Sequence, residues 1–112
     1  MREPVIPHSR PSLGAAEAEA AGAVLRSGQV AQGPEVAAFE ADVAARMGLR
    51  GGVAVASGTA ALHLALMALK VGPGDAVLFP SYTCAAVLHA VRLAGAEALP
   101  ADVDPATGNL DP

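Results

Sequence analysis

Ser57-Gly58-Thr59-Ala60-Ala61-Leu62-His63-Leu64-Ala65-Leu66 follows a small apolar run, Val53-Ala54-Val55-Ala56. Together the two stretches predict a strand over residues 53–56 that breaks at a polar turn and resumes as a helix over 60–69. Such a turn leaves backbone N–H groups at the helix start with no partner inside the helix. It also places the positive end of the helix dipole there, a setting that suits a phosphate. Two readings follow. The N–H groups of Gly58, Thr59 and Ala60, with the hydroxyls of Ser57 and Thr59, cradle a phosphate; or Ser57 or Thr59 simply caps the helix. The sequence has no glycine-rich dinucleotide fingerprint and no Gly-Lys-Ser/Thr phosphate loop, so the common nucleotide explanations fail.

Downstream, strand and helix patterns alternate. The 60–69 helix is apolar almost all round and is therefore expected to be buried. Gly72-Pro73-Gly74-Asp75 reads as a turn, 76–79 as a second short strand and 83–93 as a second helix closed by Ala94-Gly95. Residues 96–103 offer a third strand interrupted by Pro100. Continuous apolar strands separated by helices indicate an α/β arrangement, a parallel-sheet βαβαβ over residues 52–112 with both faces covered. Upstream, residues 1–51 form an arm and two helices. The arm, 1–13, is proline-rich. The first helix, from Gly14 to about Arg26, carries Glu17 and Glu19 near its start and stops at Ser27-Gly28. After a loop, Pro34 opens a second helix in which Val36, Phe39, Val43 and Met47 form an apolar stripe, a docking face that ends at Gly48.

Composition sets the limits. At 112 residues the chain is at most one domain or a piece of a larger one. Its hydrophobic fraction of 53% predicts burial, but two Phe, one Tyr and no Trp mean that each buried side chain contributes little. A net charge of −4 without a basic cluster argues against a nucleic-acid surface. A single cysteine, Cys84, excludes an internal disulfide and a cysteine-based metal site. His8 and His89 have no acidic or cysteine partner at metal-ligand spacing, and His63, one turn after Thr59 and so within reach of the phosphate, reads more readily as a satisfied core histidine. Asp102 and Asp104 invite a catalytic pair, but Pro105 and Gly108 favour a turn at the strand end. The start, Met1-Arg2-Glu3-Pro4, lacks a signal-peptide core. Residues 51–69 are long and uncharged enough to suggest a membrane span, but Gly51, Gly52, Ser57, Gly58 and Thr59 divide the run. No membrane association and a cytoplasmic location are therefore expected. Asp111-Pro112 reads as the start of a further helix, and three short strands with open edges read as the front part of a longer protein.

Several short motifs occur in a telling order: Ile6-Pro7-His8-Ser9-Arg10-Pro11, residues 25–34 from Leu25 through Ser27-Gly28 to Gly33-Pro34, Phe39-Glu40, the Ser57-Gly58-Thr59 turn, Gly72-Pro73-Gly74-Asp75, Pro80-Ser81-Tyr82-Thr83, Ala94-Gly95-Ala96 and Asp102-Val103-Asp104. In order and spacing they resemble the N-terminal part of the DegT/DnrJ/StrS sugar aminotransferases. The resemblance implies the large domain of a fold-type-I transferase that uses pyridoxal 5'-phosphate (PLP). It places the cofactor phosphate on Gly58, Thr59 and Ala60. It places Cys84, where an aromatic residue is common, against the pyridine ring, where a thiol offers a soft contact but less stacking area. Otherwise Cys84 reads as a small buried hydrophobe.

The resemblance further implies that the Schiff-base lysine, the aspartate pairing with the pyridine nitrogen, and the serine and histidine near the lysine lie beyond residue 112. No catalytic residue is therefore expected within the chain. Lys70, its one lysine, reads as a cation complementing a helix C-terminus. The implied reaction moves an amino group from glutamate or glutamine to a nucleotide-linked keto-sugar in a homodimer, with residues 1–34 contributing to the interface. A PLP-dependent sugar dehydratase of the same family, or a non-catalytic relative that binds a phosphorylated ligand, are the alternatives.

Overall fold

The computed structural model describes residues 6–111 and divides into two compact units, one through Gly52 and one from Val53. The expectations for Met1-Arg2-Glu3-Pro4 and Pro112 lie outside the described residues.

The first unit holds helices α1 (Ala15–Ser27) and α2 (Pro34–Arg46). Helix α1 starts at Gly14, whose N–H donates to Glu17 Oε2 at 2.7 Å, and stops at Gly28 with φ 74°. An exposed ion pair, Arg26 to Glu19 at 2.6 Å, lies along its surface. Helix α2 takes Pro34 at its first position, where the missing N–H costs nothing. Among its residues Ala44 alone is buried, while Phe39, Val43 and Met47 of the apolar stripe are exposed.

The second unit holds α3 (Gly58–Ala68), β1 (Ala76–Pro80), α4 (Ala85–Leu93) and β2 (Glu97–Ala101). Strands β1 and β2 are parallel, in register from Ala76 opposite Glu97 to Pro80 opposite Ala101. Helix α4 connects them and packs on both α3 and β2. Its Ala90 and Val91 are fully enclosed, and with Phe79 and Ala96 they form the core of this unit. Pro100 sits within β2; a strand with one neighbour has N–H positions that face no ladder, and there proline is tolerated.

Two helices here end in the same way. The residue after the helix takes a left-handed conformation, and paired backbone bonds satisfy the last carbonyls. After α4 that residue is Gly95 (φ 81°), with Gly95 N–H on Arg92 O and Ala96 N–H on Val91 O. A Cβ there would lie 3.2 Å from Pro73 Cγ, so backbone and neighbour both select glycine. After α3 the left-handed residue is Lys70 (φ 60°), with Lys70 N–H on Met67 O and Val71 N–H on Leu66 O. Lys70 thus lies just beyond the helix, and its main structural consequence is through its backbone.

Four expectations change. Residues 53–56 are not a strand, because β1 and β2 pair with each other alone among the described residues and a strand exists only where a neighbour's ladder receives it. Helix α3 has no buried residue: α4 covers one side, and Met67 remains 56% exposed. The sheet is covered on one face, with Leu78 on the other 58% exposed. The expected 83–93 helix begins two residues later, at Ala85, with Cys84 as its N-cap.

Candidate functional site

At the start of α3, Ser57 is extended (φ −161°, ψ 161°), and its Oγ accepts the Ala60 N–H at 3.2 Å. The capping reading is therefore realised, and it occupies one of the three amides the phosphate reading invokes. The N–H groups of Gly58 and Thr59 have no acceptor among the described residues. A Cβ built on Gly58 meets nothing within 4 Å, so the space before the helix end is open and backbone can be approached closely there. Capping and anion binding are thus compatible: Ser57 sets the geometry of the turn, and two amides at the positive end of α3 are left without an acceptor among the described residues. This donor set fits a phosphate. Thr59, half-buried, lines an open cavity with His89, Arg92 and Leu93 of α4.

Cys84 is exposed and free, and its side chain makes no capping bond. The expectation of a small buried hydrophobe is corrected, because Cys84 precedes the helical turns that pack into the core. It lines a groove with Phe79, Ser81, Leu88 and Arg92. Arg92 borders this groove and the cavity that Thr59 lines. Sequence reasoning did not single out Arg92. Its signal is its place in the last turn of an amphipathic helix, which any helix-end arginine shares.

The remaining candidates separate clearly. His63 is half-buried on α3 and makes no hydrogen bond among the described residues, so it is not a satisfied core histidine. Asp104 is a turn residue: Oδ1 accepts the Ala106 N–H at 2.8 Å, Oδ2 accepts the Thr107 hydroxyl at 3.3 Å, and its carbonyl accepts the Gly108 N–H at 2.7 Å. Among the described residues, no group of three or more His, Cys, Asp or Glu could hold a metal ion, and no helix is long and apolar enough to cross a membrane.

Helix starts within parallel α/β units are a setting in which α/β enzymes bind phosphates. The chain belongs to the DegT/DnrJ/EryC1/StrS aminotransferase family, whose model matches residues 11–112. Spr1654 from Streptococcus pneumoniae, described as a sugar aminotransferase, is 34% identical with a TM-score of 0.88 over 95% of this chain and 27% of that one. It is solved in apo, PLP and PMP forms. An aminotransferase from Psychrobacter cryohalolentis is 38% identical, with a TM-score of 0.83 over 93% of this chain and 27% of that one. A DegT/DnrJ/EryC1/StrS aminotransferase from Brucella abortus is 41% identical, with a TM-score of 0.77 over 84% and 25%. The chain thus spans about a quarter of the length of these solved relatives. The fold is that of an N-terminal part of a PLP-dependent aminotransferase.

Proposed function

We propose that these residues are the cofactor-phosphate-binding part of a PLP-dependent aminotransferase that transfers an amino group from glutamate or glutamine to a nucleotide-linked keto-sugar. The observation that carries this reading is the start of α3, where the Gly58 and Thr59 amides have no acceptor among the described residues, the space beside Gly58 is open and Ser57 holds the turn. Those two N–H groups donate to the phosphate, and the Thr59 hydroxyl adds a third donor. The Ala60 N–H is shared between Ser57 Oγ and the phosphate. Cys84 contacts the face of the pyridine ring through its sulfur. Bound PLP supplies the electron sink that makes amino-group transfer possible.

Lys70 does not serve as the Schiff-base amine, because it occupies an exposed helix stop. In this reading that amine, the ring-pairing carboxylate and the homodimer partner come from outside these 112 residues. The protein works in the cytoplasm. The test is an absorbance titration of the full-length protein with PLP, followed by glutamate and a panel of nucleotide-linked keto-sugars. Cofactor uptake and an amino-sugar product are expected. A protein that binds no PLP, or binds it and aminates no keto-sugar, refutes the reading.

A further inference from the structure

The loop after β2 builds a second surface that the cofactor reading leaves unused. Strands β1 and β2 are parallel, so their carboxyl ends share one edge, and open α/β sheets bind ligands beyond that edge. There Ser81 and Tyr82, following β1, face Asp104, Pro105, Thr107 and Gly108, following β2, across an open groove of ≈ 660 Å³. That volume falls within the range of roughly 300–1,000 Å³ found for small-molecule pockets.

Three features define what the groove takes. The first is Tyr82, which is 81% exposed although its ring could bury a large apolar area. A Cβ placed on Gly108 would lie 3.7 Å from Tyr82 Cδ1, so the loop backs one edge of the ring and leaves the rest open. The second is rigidity. Val103 and Leu110 form an antiparallel bridge, Asp104 N–H donates to Asn109 O at 2.9 Å, and Asp111 N–H donates to Asp102 O at 3.2 Å. The wall facing Tyr82 is therefore preorganised, which lowers the ordering cost of binding.

The third feature is charge. No lysine or arginine lines the groove, and both carboxylate oxygens of Asp104 are engaged within the loop. The groove lining thus offers no cation to a phosphate, so the part of a ligand it holds is uncharged. What it offers instead are the Ser81 and Tyr82 hydroxyls, neither hydrogen-bonded among the described residues, whereas the Thr107 hydroxyl is engaged within the loop, donating to Asp104 and accepting the Asn109 N–H. An aromatic face ringed by neutral hydroxyls suits an uncharged polyhydroxylated ring. Ser81 also lines the groove that holds Cys84, so the two grooves adjoin.

We propose that Tyr82 and the loop after β2 form the acceptor subsite, with the uncharged pyranose ring of the sugar stacked on Tyr82 and its hydroxyls meeting Ser81. This rests on the aminotransferase reading above. The test uses the full-length enzyme, PLP, glutamate, and uridine- and thymidine-diphosphate keto-hexoses as acceptors. Tyr82→Ala is expected to raise KM for the keto-sugar about tenfold, corresponding to loss of the stacked ring face, while KM for glutamate and PLP affinity hold. Tyr82→Phe keeps the ring and should stay within about threefold of wild type. An unchanged keto-sugar KM in Tyr82→Ala overturns the subsite, as does an equal rise in KM for both substrates. A wild-type enzyme that aminates no keto-sugar fails the aminotransferase reading itself, a different outcome from a wild type that turns over beside an indifferent Tyr82→Ala.

Discussion

Three substitutions at the start of α3 separate capping from phosphate binding. Ser57→Ala removes the 3.2 Å bond to the Ala60 N–H. Loss of a side-chain cap costs about 1 kcal/mol, so amides in the first turn of α3 should exchange about fivefold faster. Gly58→Val acts differently. Its backbone is unstrained and a Cβ there meets nothing within 4 Å, so the fold should be unchanged within about 0.5 kcal/mol. The valine side chain instead fills the space a phosphate needs in order to reach the amides. Thr59→Val keeps the shape and deletes one hydroxyl, costing about 1–3 kcal/mol if that hydroxyl donates to a charged phosphate, or roughly 5- to 150-fold in Kd. PLP affinity of the full-length protein, read by absorbance titration, should therefore fall most in Gly58→Val and clearly in Thr59→Val. Hydrogen exchange should single out Ser57→Ala. Equal PLP affinity in wild type, Gly58→Val and Thr59→Val would refute phosphate binding at this turn and leave the cap as its whole role.

Other consequences are structural. Lys70→Gly should stabilise the protein by about 0.5–1 kcal/mol, since it relieves a left-handed non-glycine residue at some entropic cost, and should leave turnover intact; a lower urea midpoint or lost turnover would contradict the helix-stop role. Gly95→Ala should cost about 1–2 kcal/mol from its φ of 81° alone, before the crowding with Pro73, and an unchanged midpoint would contradict this. The Glu17 carboxyl is held below its ordinary value of 4.5 by the Gly14 N–H first and its own backbone N–H second. A depressed folded pKa gives stabilisation that is present above the ordinary value and lost as pH falls through the lowered one. The difference in α1 exchange protection between wild type and Glu17→Gln should accordingly be full at neutral pH and shrink in acid. A difference of the same size far below the carboxylate range would contradict it.

Much of the local structure was legible because it depends on nearest neighbours. Pro34 at a first helical position, Gly28 and Gly95 at helix stops, and the Asp104 turn need only a few adjacent residues to take effect. The parallel pairing of β1 and β2 follows from two apolar runs joined by a helix-length connection. The Ser57 cap was equally visible as a polar residue before an apolar helix. The motif series from Ile6 to Asp104 pointed to the family, and the match over residues 11–112 establishes it.

What the sequence could not fix is whatever a distant neighbour decides. Val53-Ala54-Val55-Ala56 has strand composition, but strand formation requires a second backbone to accept its hydrogen bonds, and here β1 and β2 pair with each other. The apolar circumference of α3 announces a capacity for burial, whereas the packing of α4 determines which side is covered. Cys84 has a buried residue's chemistry and an exposed residue's position, because α4 starts one residue after it. Lys70 was legible as a helix-end cation but not as a left-handed one, since its φ is set by the paired bonds to Leu66 and Met67. The sequence by itself determined the four helices and the two strands that pair among the described residues, the helix stops and the polar turn at Ser57, all encoded within a few residues. Tertiary structure alone decided which apolar faces are covered, which helix-start amides stay free, and which side chains face one another across the carboxyl edge of the sheet.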